Sequence, residues 1–260
     1  MKHTFAIAAF AVSMSIHAGI VCELNDVKDF NLPSRLEFSN EKICKVKQTS
    51  WFLSAKKYPI DPAKTYKISG EFRAAQGAKV SGVIRIGFYP ADEKGHLISV
   101  INVNCVPQSE TELAETANVG DTILKVKDAS KWQAKNYGYV AFDVDPSGKM
   151  RDIPCFTLSE AGIKRIEKSG NVWEVELHKP IKSAYAAGVA VREHLGGWGF
   201  QCSNPLVPAE DWSSLSWTVK PGQARKNTRE QWLFGAKQFI VVLVLPEGVE
   251  FRNVKVETAD

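Results

Sequence analysis

Within residues 58–73, a turn that contains two prolines is followed by a strict alternation of hydrophobic and polar residues. Tyr66, Ile68 and Phe72 fall on one face of an extended chain. A period of two is typical of an antiparallel strand with one buried face and one solvated face. We therefore predict such a strand here. The residues of its solvated face are Thr65, Lys67, Ser69, Glu71 and Arg73.

Later segments carry β patterns as well. Apolar residues alternate with others along residues 82–89, and residues 97–103 predict a further short strand. Residues 239–245 are a continuous apolar run, which is typical of a central strand buried on both faces. Short strands are also predicted around Trp217 and Val256. Helical periodicity is almost absent, so we predict an all-β chain.

Residues 109–194 show a different pattern and predict a second unit. Turn sequences, such as Gly120-Asp121 and Pro146-Ser147-Gly148, separate short alternating runs. We therefore predict a jelly-roll β-sandwich formed by residues 19–108 and 195–260. A small all-β domain, residues 109–194, is predicted to be inserted into it.

Residues 1–18 are predicted to be a secretory signal peptide. Lys2 and His3 precede an apolar run, and Ala18 provides a small residue at the cleavage point. The run is shorter than the ~20 apolar residues that span a bilayer. We therefore expect a secreted or periplasmic protein with no transmembrane segment. A lipidated Cys22 is the weaker alternative, because Gly19 stands where such signals carry a bulky aliphatic residue.

The charge of the chain is mild. The formal value is +4, and loss of Lys2 with the leader would lower it to +3. Because the charges are scattered, the composition argues against a nucleic acid or an anionic membrane as the partner. The densest basic stretch is residues 220–229. It could contact an acidic polysaccharide, although a solvated loop is the favoured interpretation.

All five cysteines lie beyond the predicted cleavage point, and an odd number leaves at least one unpaired in a monomer. Cys22 and Cys44 are the pair that we expect to form a bridge, if one forms, because both precede the first confident strand. No spacing matches CxxC, so neither a zinc knuckle nor a redox pair is indicated. The remaining cysteines are predicted to be buried, inert thiols.

Two parts of the chain resemble secreted jelly-roll carbohydrate-binding modules of the family 4 and 9 type. One part is residues 58–73, and the other is the insert with the strand that follows it. The resemblance extends over about residues 51–256 and implies a sandwich with an insertion that binds a polysaccharide or glycan. The matching residues are Leu113, Gly120, Asp121, Thr122, Val126, Asp128, Ala129, Ser130, Trp132, Tyr185, Gly188, Val191, Arg192, Trp212 and the stretch 232–237.

A sugar site needs an aromatic ring against the C–H face of the pyranose and hydrogen-bonding groups at its edge. Trp198, in a glycine-rich segment, and Trp232, after polar residues, are the predicted platform rings. Trp217 is in phase with Leu215 and Val219, so it is predicted to be a core residue. Polar ligand-binding partners are predicted on neighbouring strands. They are Arg85, Tyr89, Asn102, Asn104 and Gln201.

Catalytic motifs are missing from the sequence. It contains no GxSxG, HExxH or Walker loop, and no Glu-x-Asp-x-x-Glu strand of the kind that jelly-roll glucanases use. Residues 143–148 begin like a calcium loop, but Pro154 occupies the position of the bidentate glutamate, so a turn is predicted. No organic cofactor is expected. The resemblance allows for a structural calcium ion, to which no residue is assigned.

We therefore expect an exported, non-enzymatic carbohydrate-binding protein. A structural or adhesive cell-envelope protein that binds other proteins is one alternative, and a large flat apolar patch would favour it. A polysaccharide lyase or hydrolase with an unrecognised site is the other. A cleft that gathers His, Tyr, Arg or paired carboxylates would favour the enzyme.

Overall fold

The structure is a computed structural model that describes residues 19–133 and 137–259. Helix in this part of the chain is confined to one turn, α1 at Val100–Val103, and two 3-10 turns at Val27–Asp29 and Pro33–Arg35. The predicted all-β sandwich is confirmed. No helix among these residues is long and apolar enough to span a membrane. The predicted signal peptide lies outside the described residues.

Two sheets form the sandwich, and two smaller sheets lie between its two halves in the chain. The first strands of the sandwich are β1 Gly19–Glu23, β2 Leu36–Phe38, β3 Cys44–Val46, β4 Ser50–Leu53, β5 Tyr58–Pro59, β6 Thr65–Ala74 and β7 Arg85–Ala91. The smaller sheets contain β8 Thr111–Glu112, β9 Ile123–Val126, β10 Gly138–Phe142, β11 Ile163–Ser169, β12 Val172–Leu177 and β13 Ala190–Leu195. The sandwich resumes with β14 Gln201–Cys202, β15 Ser213–Ala224, β16 Gln231–Leu233, β17 Gln238–Leu245 and β18 Val249–Ala259.

The two sandwich sheets differ in size. The seven-stranded sheet has the order β16-β15-β6-β18-β3-β2, and β1 also pairs with β18. The five-stranded sheet has the order β14-β7-β17-β4, and β5 also pairs with β17. Strands β4, β6, β7, β15, β17 and β18 alternate between the two sheets along the chain, as strands do in a jelly roll.

The core lies between these sheets and follows the predicted alternation. Tyr66, Ile68 and Phe72 of β6 are buried, as their period of two predicts. Strand β17 lies between β7 and β4 and is buried along most of its length, as predicted for residues 239–245. The ring centroid of Phe239 lies 4.9 Å from that of Phe88 and 5.6 Å from that of Trp232. Phe88 lies in the same sheet as Phe239, whereas Trp232 lies on β16, so the contact with Trp232 joins the two sheets.

Residues 97–103 do not form the predicted strand, because a local cap favours a helical turn at α1. The side-chain oxygen of Asn102 accepts hydrogen bonds from the backbone N–H of Ser99 at 2.8 Å and from its hydroxyl at 2.9 Å. A side chain at this position that accepts from the N-cap N–H stabilises the first turn of a helix. The alternation of apolar and polar residues does not reveal this cap, because the cap depends on contact between the side chains of Ser99 and Asn102.

The inserted strands have a hydrophobic cluster of their own. They form two three-stranded sheets with the orders β10-β13-β8 and β11-β12-β9. Both sheets contribute to this cluster, for example through Phe142 and Val191 on one and Leu124 and Val175 on the other. The chain leaves the sandwich after β7 and returns as β14, which pairs with β7. The domain boundaries at 109 and 194 stay predictions.

The cysteines of the described chain are free thiols. Cys22 lies opposite Val256 of β18, whereas Cys44 lies opposite Phe251. Five residues of strand separate these two positions by roughly 16 Å, and a disulfide requires Cα atoms within about 7 Å. The predicted Cys22–Cys44 bridge is therefore wrong. Burial raises the pKa of Cys22 to about 11 and that of Cys44 to about 12, so both thiols are protonated at neutral pH.

Gly87 of β7 allows the returning chain to pack closely against the five-stranded sheet. A Cβ atom at this position would clash with the backbone carbonyl oxygen of Gln201, and it would lie 2.7 Å from the Cα of Cys202. Backbone atoms cannot give way as a flexible side chain can. Any larger residue at position 87 must therefore displace β14.

We expect Gly87→Ala to lower the free energy of unfolding by about 3 kcal/mol, at the upper end of overpacking costs. Gly199→Ala is the control, because no atom lies within 4 Å of a Cβ at that position. Its effect should stay within about 0.5 kcal/mol. Urea unfolding of both variants measures the difference, and equal stability would contradict the proposed close approach.

Candidate functional site

The outer face of the five-stranded sheet presents side chains in cross-strand rows. The strand register aligns Trp51 of β4, Val244 of β17 and Arg85 of β7 in one row. Ile240 and Tyr89 are paired in another row. Directly paired residues share a face of a sheet, and the alternate residues of the strand, such as Ile86 and Phe88 of β7, point into the core. Arg85 and Tyr89 thus lie on the same outer face, as the alternation predicts.

Phe200 covers the middle of this face. Its ring packs with Cys202 and Val242 in a small apolar cluster that is separate from the main core. Its centroid lies 4.9 Å from that of Trp51, in an edge-to-face arrangement. Strand β4 is at the edge of its sheet, so Trp51 has no further strand beside it and stays 51% exposed. The result is an aromatic ring that is supported on one side and open on another.

Trp198 lies in the loop that precedes β14 and is 45% exposed. Two guanidinium groups lie over its ring, that of Arg229 at 4.9 Å from the centroid and that of Arg85 at 5.9 Å. Each arginine also donates a hydrogen bond to a neutral oxygen atom. Arg229 Nη2 donates to Asn204 Oδ1 at 3.3 Å, and Arg85 Nη1 donates to the carbonyl oxygen of Ser203 at 3.5 Å. Stacking on an aromatic ring orients a guanidinium without removing its hydrogen-bond donors.

A hollow of about 290 Å³ adjoins Arg229 and is lined by Asn204, Trp217, Thr228, Arg229 and Glu230. Trp217 packs against the core, with its ring centroid 5.9 Å from that of Phe88, and its remaining surface reaches the hollow. The Glu230 carboxylate accepts from Lys220 Nζ at 2.9 Å, and this partner lowers the pKa of Glu230. The hollow thus combines an aromatic wall with donors and acceptors.

Trp51, Phe200, Arg85, Trp198 and Arg229, together with the hollow, are called the Trp51–Trp198 surface below. The backbones of Trp51 and Arg85 are separated by two strand spacings, or about 10 Å. Chemically, the surface offers two half-exposed indole rings, and Trp198 has guanidinium groups over its ring. Rings of this kind stack on apolar faces, and the polar groups fix the orientation of a ligand.

Trp232 is not part of this surface, which corrects its prediction as a platform ring. The side chain is fully buried, and its centroid lies 5.4 Å from those of Tyr66 and Phe88. The polar residues before Trp232 suggested exposure. Arg229 and Glu230 belong to the loop that leads into β16, whereas Trp232 lies in the strand, which turns this ring toward the core.

Three predicted polar partners also serve the fold. Asn102 is buried, and its Nδ2 donates to the carbonyl oxygen of Cys155 at 2.9 Å. Asn104 Nδ2 donates to the carbonyl oxygen of Leu195 at 3.2 Å. Gln201 is 1% exposed, and its amide nitrogen donates to the carbonyl oxygen of Gln231. These contacts fasten the helical turn and β14 in place, so the structure does not bring the three side chains to the Trp51–Trp198 surface.

Trp51 is the site residue that sequence reasoning missed. The signal was present in the stretch Ser50–Leu53, where Trp51 and Leu53 alternate with Phe52. Phe52 is fully buried, so its neighbours must face outward. A four-residue strand does not by itself reveal which face is the outer one.

A second group of chemically interesting residues is buried at the junction of sandwich and insert. Arg192 and His194 of β13 are both fully buried. Arg192 Nη2 lies 2.7 Å from Asp152 Oδ2, and Nη1 lies 3.6 Å from Glu110 Oε1. His194 Nδ1 donates to the carbonyl oxygen of Ile101 at 2.6 Å, while Nε2 accepts from Arg192 at 3.0 Å. Both imidazole nitrogens are engaged away from solvent, so this cluster links elements of the fold.

Metal ligands were left unassigned by the sequence. Across residues 19–133 and 137–259, no group of three or more His, Cys, Asp or Glu side chains is placed to hold a metal ion. Asp145, in the segment that begins like a calcium loop, accepts hydrogen bonds from the backbone N–H of Ser147 at 2.9 Å and of Arg151 at 3.2 Å. A hydrogen bond from the Ser147 side chain, together with these backbone bonds, lowers the pKa of Asp145 to about 2. These bonds form the turn that the sequence predicts.

The fold and this surface define the class of the molecule as an all-β sandwich with an aromatic and basic outer face. Comparison with known proteins adds no family to this description: no protein-family model matches the chain, and no curated protein or solved structure shows significant similarity to it.

The buried His194 predicts a pH dependence of stability. Burial lowers its pKa from 6.5 to about 4, with the charge of Arg192 acting in the same direction. The unfolded chain therefore takes up this proton first, and the free energy of unfolding should fall as the pH falls from 6.5 to 4. The full loss is about 3 kcal/mol for this group.

Urea unfolding at several pH values measures this dependence. His194→Asn keeps a donor for Ile101 but cannot titrate, so the fall in its unfolding free energy over this range should be smaller than that of the wild type. Parallel pH dependences for the two proteins would show that His194 does not contribute.

Proposed function

We propose that this protein is an exported, non-catalytic carbohydrate-binding protein that binds a polysaccharide or glycan through the Trp51–Trp198 surface. The observation that supports the proposal is the presence of two half-exposed indole rings at one cross-strand row of a sandwich sheet: Trp51 is at one end of the row, and Trp198 lies beside Arg85 at the other end. The resemblance of the sequence to jelly-roll carbohydrate-binding modules points to the same class. Since a fold alone does not define a function, the proposal depends on the surface.

The chemistry of the surface suits a sugar chain. The C–H face of a pyranose stacks on an indole, and this contact contributes about 1 kcal/mol beyond the buried area. The hydroxyl groups at the edge of the ring need fixed donors and acceptors, which Arg85, Arg229 and Asn204 provide. Trp51 and Arg85, which lies beside Trp198, occupy the two ends of a cross-strand row whose backbones span about 10 Å. We therefore expect the ligand to be an oligosaccharide or a longer chain.

Removal of either exposed ring should weaken binding. We expect Trp51→Ala and Trp198→Ala each to raise the dissociation constant for a bound glycan about fivefold to tenfold, and the double variant to abolish detectable binding. A glycan array followed by isothermal titration calorimetry on the strongest ligand provides the measurement. Thermal unfolding confirms that each variant is folded.

Phe156→Ala is the matched control. Phe156 is 45% exposed, as Trp198 is, but it lines a different cleft of about 490 Å³ that also contains Asp152 and Lys237. Its loss should leave the dissociation constant unchanged. A loss of binding in Phe156→Ala with normal binding in the tryptophan variants would place the site in that cleft. No binding of any glycan by a folded wild type would favour the protein-binding envelope role instead.

A further inference from the structure

The two arginines at Trp198 form no ion pair with a carboxylate of the described chain. Among the described residues, no carboxylate lies within 4.0 Å of the guanidinium of Arg85 or of Arg229, and their hydrogen bonds go to the neutral oxygens of Ser203 and Asn204. Glu230, the neighbouring acid, is paired with Lys220. The charge of Arg229 does interact with the Glu230 carboxylate and helps to lower its pKa, but neither arginine at the exposed Trp198 ring has a described carboxylate at ion-pair distance.

A second tryptophan of the same protein shows the compensated arrangement. Trp212 also has two guanidiniums over its ring, Arg73 at 4.5 Å and Arg252 at 4.3 Å. Each of these arginines carries a carboxylate partner, with Arg73 Nη2 2.7 Å from Glu250 and Arg252 Nε 2.8 Å from Glu71. Because Arg73 and Arg252 are each paired with a carboxylate on a neighbouring strand, their stacking on Trp212 is accounted for by cross-strand contacts of the fold. The stack at Trp198 lacks this explanation.

The loop that carries Arg229 is packed against the segment that carries Trp198. A Cβ atom at Gly197 would lie 2.8 Å from the side chain of Asn227, so the two segments are in close contact there. Arg225 of the same loop is exposed and stacks on Phe234, with its guanidinium 4.0 Å from the ring centroid. It too lacks a carboxylate within 4.0 Å in the described chain. The guanidinium groups of Arg225 and Arg229 are therefore held in place by packing of their loop.

We infer that the glycan bound by the Trp51–Trp198 surface is anionic and carries carboxylate or sulfate groups. The inference rests on the proposed function and specifies the class of its ligand. Guanidinium groups bind such anions through paired N–H donors, and a guanidinium already stacked on a ring loses little freedom on binding. Trp198 would stack on the sugar ring or support the arginines while Arg85 and Arg229 pair with the acidic groups.

Matched pairs of polymers test the inference. Polygalacturonate is compared with its methyl-esterified form, and dextran sulfate with unmodified dextran, by affinity electrophoresis and calorimetry. We expect the wild type to bind at least one anionic polymer about tenfold more tightly than its neutral counterpart. Because exposed charges are screened, raising the salt from 50 to 300 mM should weaken this binding several-fold. The two pairs distinguish carboxylate from sulfate ester.

The variant Arg85→Gln/Arg229→Gln should lose this tenfold preference. Arg73→Gln/Arg252→Gln is the control, since it removes the same charge from beside a tryptophan and should change the preference less than twofold. Equal or stronger binding of the neutral polymers, unchanged in Arg85→Gln/Arg229→Gln, would overturn the anionic ligand but keep the proposed function. A folded wild type that binds neither these polymers nor any glycan of a broad array would overturn both.

Discussion

The close return of the chain against β7 is the constraint on which the rest of the structure depends. The chain leaves the sandwich after this strand, builds two further sheets, and must re-enter beside the strand that it left. Gly87 makes the re-entry possible because the backbone of Gln201 and Cys202 occupies the space of its missing side chain. The same approach lays Phe200 on the outer face of the sheet and holds Trp198 near Arg85. The close packing at Gly87 therefore determines both where the chain re-enters the sheet and where the residues of the candidate site lie.

The junction of sandwich and insert is held by polar and apolar contacts together. Ala141, Ile153 and Cys155 of the insert belong to the main hydrophobic core, while Arg192 and His194 form a buried network beside it. Removing one partner from such a network leaves a buried charge uncompensated and is costly. The insert is thus positioned relative to β14, and the loop that carries Trp198 emerges at a fixed point. The Arg192 cluster thus contributes to the site by fixing the position at which the loop with Trp198 begins.

Sequence reasoning predicted the parts of the fold in which side-chain period decides the structure. Strands β6 and β17 follow their alternating and continuous apolar patterns, because burial on one face or on both imposes those patterns. It was wrong at residues 97–103, where Asn102 caps a helical turn, and for the Cys22–Cys44 bridge, which depends on register. For the site, Trp198, Arg85 and Tyr89 lie on the expected outer face. Trp232 and Gln201 are buried and Trp51 was missed, because local sequence does not show which neighbouring strand covers a ring.

The central proposal is contact between a glycan and the outer face of the five-stranded sheet at Trp51 and Trp198. The seven indole N–H groups of the protein are separate probes for this claim. We would record their NMR resonances while titrating an oligogalacturonate. The account predicts shifts for Trp51 and Trp198 and none for the buried Trp132, whose Nε1 donates to the carbonyl oxygen of Ser109 at 2.8 Å, or for the buried Trp232. Shifts confined to Trp173 or Trp212, with Trp51 and Trp198 unmoved at saturation, would contradict it.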